Sequence, residues 1–133
     1  MLKAVLDTHV FIWLMQGDTL SKDILEQINY YAHRNKLYIA EISFWEIAML
    51  AHRKRINFNQ DICSWLQNSL KVPGLQTIGI SPQIANDSVC LPDFIHKDPA
   101  DRIIIATSRF LKAKLFTKDQ KILDYKYVEC IAV

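Results

Sequence analysis

Glycine, proline and cysteine are scarce in this chain of 133 residues, which contains three glycines, four prolines and three cysteines. With so few glycines, and with no GxGxxG, GKS/GKT or GxSxG segment, we expect neither a phosphate-cradling loop nor a nucleophile elbow. The cysteines lie far apart and form no CxxC pair, so neither a zinc site nor a disulfide framework is expected. We interpret them as reduced thiols in or near the core of a cytoplasmic protein.

Long apolar runs and a strong charge imbalance are also lacking. No apolar run approaches the ~20 residues that cross a membrane, and the first residues do not resemble a signal peptide. Sixteen basic and fourteen acidic residues give a net charge of +2, which permits a polyanionic partner without requiring one. Half of the residues are apolar, as in folded globular proteins. We therefore expect one cytoplasmic domain over residues 1–133, without membrane contact.

Short apolar segments alternate with helical segments along the whole chain. Strands are predicted at 2–6, 37–40, 76–80, 115–117 and 128–133, and the intervening segments, including one from 59 to about 70, are predicted as helices. This alternation is typical of an α/β domain with a mainly parallel sheet. In such sheets, functional sites gather at the carboxyl ends of the strands.

The most informative segment spans residues 96–109 and reads HKDPADRIIIATSR. Asp98 is suited to cap a helix whose first position is Pro99. Asp101 then occupies the third helical position, where the helix dipole favours an anion. The apolar residues that follow predict a buried helix. Two carboxylates are therefore expected one turn apart at its start.

Other acidic residues are expected to join them. Asp7 and Asp119 follow strands, and Glu46 lies near the start of a helix that follows a strand, so with Asp101 they should meet at one edge of the sheet. A lone buried carboxylate such as Asp7 is costly, and four together repel one another unless a cation lies between them. Oxygen ligands favour Mg²⁺ or Mn²⁺ over zinc. Sites of this kind commonly perform metal-assisted phosphodiester hydrolysis.

Structural interpretations of the same acids remain open at this point. Glu46 can complete a capping box with Ser43 by accepting from its backbone N–H. Asp98 is better explained as an N-cap than as a metal ligand. Asp101 and Asp119 can serve only a helix dipole and a turn, respectively. No single position decides between the interpretations, whereas the shared edge favours the metal site.

Basic residues supply candidate contacts for a nucleic-acid backbone. The run HRKR at 52–55 contains Arg53, Lys54 and Arg55, and Lys118 precedes one of the acids. These side chains can bind phosphates. Solvation and the dipole of the preceding helix are the simpler interpretation of the run at 52–55.

Tryptophans and histidines give weaker indications. Trp13, Trp45 and Trp65 are interpreted as core residues, although an apolar surface around Trp13 can serve a partner. The four histidines show no spacing typical of metal ligands, and we expect them on the surface or in loops.

Four segments of the chain match a known family in the family's own order. They read LDTHVFIWL, ISFWEIAM, HKDPADRIIIATS and LFTKD, and together they extend over essentially the whole chain. On these segments the chain resembles the PIN-domain ribonucleases, and among them the VapC toxins of bacterial toxin–antitoxin pairs. The resemblance implies a three-layer α/β/α sandwich around a parallel sheet and cleavage of RNA with Mg²⁺ or Mn²⁺. It also implies a homodimer and a VapB-like antitoxin that covers the active site.

The resemblance assigns roles to particular residues. It gives the metal-binding and catalytic roles to Asp7, Glu46, Asp101 and Asp119. It makes Thr8, Ser43 and Thr117 small hydroxyl residues that bond these acids. Asp98 matches the first acid of a DPxD run, which the family need not use as a ligand. Ala100 stands where the family commonly has Phe, a difference that affects packing rather than chemistry.

The hypothesis from the sequence is therefore a metal-dependent endoribonuclease. One alternative is a phosphoryl-transfer enzyme of the haloacid-dehalogenase type, which needs a second Asp two residues after its nucleophile, where this chain has His9. Another is a non-catalytic module that keeps the fold and binds protein or RNA. Intact acids at all four positions disfavour this module, and metal titration separates it from a nuclease.

Overall fold

The structure is a computed structural model that describes residues 2–17, 19–93 and 96–133. Its strands are β1 (Ala4–Leu6), β2 (Leu37–Ala40), β3 (Leu75–Ile78), β4 (Lys114–Thr117) and β5 (Cys130–Ala132). Its helices are α1 (Thr8–Gln16), α2 (Lys22–Ala32), α3 (Ile42–His52), α4 (Ile62–Ser69), α5 (Pro82–Cys90), α6 (Pro99–Leu111) and α7 (Gln120–Leu123).

The strands form one five-stranded sheet in the order β3-β2-β1-β4-β5, and every pairing between neighbours is parallel. β1 is the central strand, because Ala4 pairs with both Leu37 of β2 and Lys114 of β4. The chain adds β2 and β3 on one side of β1 and later places β4 and β5 on the other. The strand order thus reverses between β1 and β4, which is where α/β sheets of this kind bind ligands.

Side chains alternate across the sheet and divide the core in two. Leu6 of β1 faces a cluster that includes Phe11 of α1 and Ile28 of α2, whereas Val5 faces a cluster that includes Ile104 of α6 and Ile122 of α7. All six side chains are almost completely buried. Because helices cover both faces, the predicted three-layer α/β/α arrangement with a parallel sheet is confirmed.

The predicted start of α6 is also confirmed. Oδ1 of Asp98 accepts a hydrogen bond of 3.1 Å from the backbone N–H of Asp101, and Pro99 is the first helical residue. The apolar run of the helix is buried as expected, with Ile104 and Ile105 inaccessible to solvent, whereas Pro99 and Phe110 of the same helix are exposed. The carboxylates of Asp98 and Asp101 are thereby held at its N-terminus.

Some local predictions are wrong. The helix predicted from residue 59 begins only at Ile62, because Asp61 caps it by accepting from the N–H of Ser64 at 3.1 Å. Cys63 and Cys90 are exposed rather than in or near the core, and only Cys130 is partly buried. All three cysteines are free thiols. Within the described ranges, no helix has both the length and the apolar character required of a membrane span.

The second core cluster predicts a large cost for truncating Ile104. We expect Ile104→Ala to lower the free energy of unfolding by about 2–5 kcal/mol, because it removes three carbons from a closed site. Phe110→Ala is the control, since Phe110 lies on the same helix with half of its surface exposed, and we expect a cost below about 1 kcal/mol. Urea denaturation measures both. Equal costs would contradict the assignment of this core.

Candidate active site

The candidate acids lie where strands end and helices begin. Asp7 directly follows β1 and caps α1, with Oδ1 accepting from the N–H of Thr8 at 2.8 Å. Asp119 follows β4 and caps α7, accepting from the N–H of Lys121 at 2.9 Å. Since all strands are parallel, these caps share the carboxyl edge of the sheet. They flank the reversal between β1 and β4.

One cavity of about 400 Å³ contains all of the predicted acids. Its lining residues are Asp7, His9, Trp13, Glu46, Asp98, Asp101, Lys118 and Asp119. The convergence predicted from the strand ends is therefore observed. The catalytic roles of the individual acids stay predictions.

Thr117 joins two of the acids through its hydroxyl group. Its Oγ1 donates to Oδ2 of Asp7 at 2.7 Å and accepts from the backbone N–H of Asp119 at 3.1 Å. Both carboxylate oxygens of Asp7 are thus hydrogen-bonded, and the residue is only 8% exposed. The hydroxyl sets the orientation of Asp7 and the path of the chain into Asp119.

The hydroxyl group of Thr8 forms a similar hydrogen bond with Glu46. Its Oγ1 donates to Oε1 of Glu46 and lies 2.8 Å from Oγ of Ser43. Because the single proton of Thr8 goes to the carboxylate, Ser43 donates to Thr8. Thr8 and Thr117 therefore bond acids, whereas Ser43 bonds Thr8 instead of an acid.

The capping-box interpretation of Glu46 is wrong. α3 begins at Ile42, so Ser43 is inside the helix, and the residue at the N-cap position is Glu41, whose side chain makes no capping bond. Glu46 instead turns toward the hydroxyl of Thr8, 38 positions away in the sequence. Glu46 therefore bonds a residue distant in the sequence instead of the backbone N–H of Ser43.

His96 belongs to the site, although its sequence position gave no sign of this. Its Nε2 lies 2.6 Å from Oδ2 of Asp101, and the two side chains are 18% and 14% exposed. Nε2 donates to Asp101 when that carboxylate is ionised, because an ionised carboxylate only accepts. The offset of five residues is not a helical ligand spacing, because His96 lies in the loop before α6 and folds back over its first turn.

Two groups of side chains have ligand atoms close enough to share one ion. His96, Asp101 and Asp119 form one group, and Glu46, Asp98 and Asp101 form the other, each with its atoms within 4.8 Å of one another. Asp101 is common to both. Among the described residues, Asp7 falls in neither group, although it lines the same cavity. The structure thus adds His96 and Asp98 to the predicted set.

Burial and mutual repulsion disfavour the charged forms of these acids. Burial raises the pKa of Asp7 and of Glu46, and the hydrogen bonds from Thr117 and Thr8 only partly oppose this. Burial, together with the charges of the surrounding acids, raises the pKa of Asp101 to about 7 against the opposing effect of its bond to His96. Such a cluster would be stabilised by a cation.

The basic residues are divided between two places. Lys118 lines the acidic cavity, with Nζ 5.6 Å from the centre of the Trp13 ring. Arg53, Lys54 and Arg55 follow the C-terminal end of α3, whereas Glu46 lies in its first half, so they do not line the cavity. Their contact with RNA stays a prediction.

The tryptophans also differ from the expectation of three core residues. Trp65 is buried, as predicted. Trp13 is half-buried against the first core cluster and also lines the acidic cavity, whereas Trp45 is 55% exposed. α3 buries Ser43 and Ile47, and residue 45 lies two positions from each. At about 100° per residue, this places Trp45 on the opposite face of the helix.

Comparison with known proteins gives a family for this arrangement. The family model described as PIN domain matches residues 4–127. The chain is also 34% identical over 134 residues to Ribonuclease VapC22 of Mycobacterium tuberculosis (strain ATCC 25618 / H37Rv), covering 100% of this chain and 99% of that protein.

Solved structures share the fold at lower identity. The crystal structure of DNA-bound VapBC from Salmonella typhimurium matches with a TM-score of 0.74 and 14% identity, over 99% of this chain and 98% of that one. VapBC2 from Rickettsia felis, bound to a DNA fragment from its promoter, matches with a TM-score of 0.74 and 15% identity, over 98% of each chain. Given the nearly full-length family match and the VapC relative, the chain belongs to the PIN-domain family and, within it, to the VapC proteins.

Proposed function

We propose that this protein is an endoribonuclease that hydrolyses RNA phosphodiester bonds at the acidic cavity, using Mg²⁺ or Mn²⁺. The observation that carries the proposal is the pair of ligand groups that meet at Asp101, at the reversal of strand order. The similarity to Ribonuclease VapC22 supports RNA as the substrate class.

The residues present fit a hard divalent cation. Carboxylate oxygens predominate, with His96 as the one nitrogen ligand in the two groups, and this donor set suits Mg²⁺ or Mn²⁺. Asp101, Glu46, Asp119 and Asp98 would hold one or two ions, and Asp7 would complete the site from its buried position. When bound, the ion polarises the phosphate and activates water for hydrolysis.

The surrounding groups position the acids before a substrate arrives. Thr117 orients Asp7, Thr8 orients Glu46, and His96 orients Asp101 through the contacts described above. Partners of this kind restrict the motion of metal-binding side chains and tune their affinity. Lys118 provides positive charge for the RNA backbone at the cavity itself.

The biological role that we propose is the toxin of a toxin–antitoxin pair, with a VapB-like antitoxin as its partner. The support is the VapC relative together with structural neighbours that include a toxin–antitoxin complex from Klebsiella pneumoniae, which has a TM-score of 0.66 and 21% identity. Homodimer formation and a cytoplasmic location stay predictions from the resemblance and from the composition.

Removing one carboxylate charge tests the catalytic assignment. We expect Asp7→Asn and Asp101→Asn each to lower Mg²⁺-dependent cleavage of an RNA pool by roughly 100-fold or more, since even indirect partners of metal ligands are worth about 10–100-fold. Asp61→Asn is the matched control, because Asp61 caps α4 outside the cavity and Asn caps equally well. Undiminished cleavage by both site variants would end the proposed mechanism.

The hydroxyl of Thr117 is testable through metal affinity. Thr117→Val keeps the shape but removes the donor to Asp7 and the acceptor for Asp119, so we expect Mn²⁺ affinity to fall by about 10–100-fold. Thr117→Ser retains the hydroxyl and should retain most of the affinity. Isothermal titration calorimetry with Mn²⁺ measures both. Equal affinities for the Val and Ser variants would show that the hydroxyl does not position the acids.

The raised pKa values predict how metal-free stability depends on pH. Because the pKa of Asp101 is about 7 in the folded protein and near 4 when unfolded, the folded state binds the extra proton between these values. The stability linked to this proton is therefore present at low pH and lost as the pH rises through about 7. We expect the Tm in EDTA to fall over this window, and Mn²⁺ to raise the Tm most at the alkaline end.

Asp101→Asn supplies the control for this pH effect. It removes the titrating carboxyl, so its Tm in EDTA should decline less than that of the wild type over the same window, as measured by circular dichroism. A constant difference in Tm between the two proteins at every pH would contradict the assignment.

A further inference from the structure

Trp13 and Lys118 lie together at one rim of the acidic cavity. Trp13 is on α1, which begins directly after Asp7, and Lys118 follows β4 directly. The two elements flank the strand reversal, and Nζ of Lys118 lies 5.6 Å from the centre of the indole ring. The ring of His9 lies 6.0 Å from that of Trp13 at an angle of 54°. An aromatic surface and a cation are thus adjacent beside the carboxylates.

Among the residues that line the cavity, Lys118 is the best placed to bind a phosphate. Five carboxylates line the cavity, and Lys118 is the one ammonium or guanidinium group among its described lining residues. The ion pairs found in the described part of the chain join His96 with Asp101 and Arg109 with Asp87, so neither occupies Lys118. An RNA strand is repelled by the carboxylates and attracted by Lys118 at this rim.

A separate groove near the start of α3 has a charge of the opposite sign. There Trp45 and Ile80 line an apolar groove with Pro99, and its charged member is Glu41. Trp45 is more exposed than Trp13, yet the neighbouring carboxylate disfavours an RNA backbone. The exposed fraction alone would favour Trp45 as the residue that stacks on a base, whereas the charge of the neighbouring side chain favours Trp13.

We propose that Trp13 and Lys118 form a nucleotide-binding subsite, in which the indole stacks on a base of the RNA and the ammonium group pairs with a backbone phosphate of the same strand. This inference rests on the proposed function, since it assumes that the cavity receives RNA. Stacking on an aromatic ring tolerates any base, because every base has a π-face. The flexible side chain of Lys118 lets its ammonium group follow the phosphate while the base covers the ring.

The test is equilibrium binding of a labelled single-stranded oligouridine by proteins that carry Asp101→Asn, so that the RNA is not cut. We expect Trp13→Leu to weaken binding roughly tenfold and Trp13→Phe to restore most of it, since Phe keeps an aromatic face. Trp45→Leu is the matched control and should leave the affinity unchanged. Lys118→Gln should lower the slope of log K against log salt by about one. Thermal melts confirm that each variant is folded.

A ribose-phosphate oligomer without bases separates the two contacts. Against this oligomer the effect of Trp13→Leu should disappear, whereas that of Lys118→Gln should persist. If Trp13→Leu does not change the affinity for oligouridine, the proposal is overturned. The indole would then pack in the core or bind a protein partner. An equal loss in Trp45→Leu also overturns the proposal. Failure of the proposed function is seen separately, as a wild-type protein that cuts no RNA with Mg²⁺ or Mn²⁺.

Discussion

Repulsion among half-buried carboxylates is the constraint on which the rest of this structure depends. Asp7, Glu46 and Asp101 are removed from water and placed near one another, so that burial and the neighbouring charges raise the pKa of each. Their hydrogen bonds from Thr117, Thr8 and His96 offset only part of that cost. A folded protein that keeps such a cluster is prepared for a cation, whose charge offsets both burial and repulsion.

The parallel sheet brings these acids together by using side chains that already stabilise helix starts. Asp7, Asp98 and Asp119 each cap a helix, so the bonds that start α1, α6 and α7 also fix carboxylates at the carboxyl edge of the sheet. Each cap leaves carboxylate lone pairs that can still reach the cavity. Helix initiation and site construction therefore use the same side chains, which is why the structural and functional interpretations of these acids do not exclude each other.

Charge, rather than apolar surface, distinguishes the surroundings of Trp13 from those of Trp45. Trp13 lies beside Lys118, and Trp45 lies beside Glu41. A polyanion is attracted to the surface beside Lys118 and repelled by the surface beside Glu41. The apolar groove beside Glu41 remains a surface on which no RNA backbone is expected.

The sequence alone determined the features that depend on neighbouring residues. Apolar segments identified the strands, and Asp98 followed by Pro99 identified the start of α6, because capping and backbone preference act over a few positions. Since parallel strands end at a common edge, the convergence of Asp7, Glu46, Asp101 and Asp119 also followed from strand ends and helix starts.

Tertiary structure decided the contacts between distant residues and the choice between faces. Thr8 reaches Glu46 across 38 positions, and Thr117 reaches Asp7 across 110, so no local pattern records either bond. His96 joins Asp101 because a loop folds back over a helix. Whether a tryptophan such as Trp45 is buried or exposed depends on how its helix is rotated against the sheet, and packing sets that rotation only once all three layers have assembled.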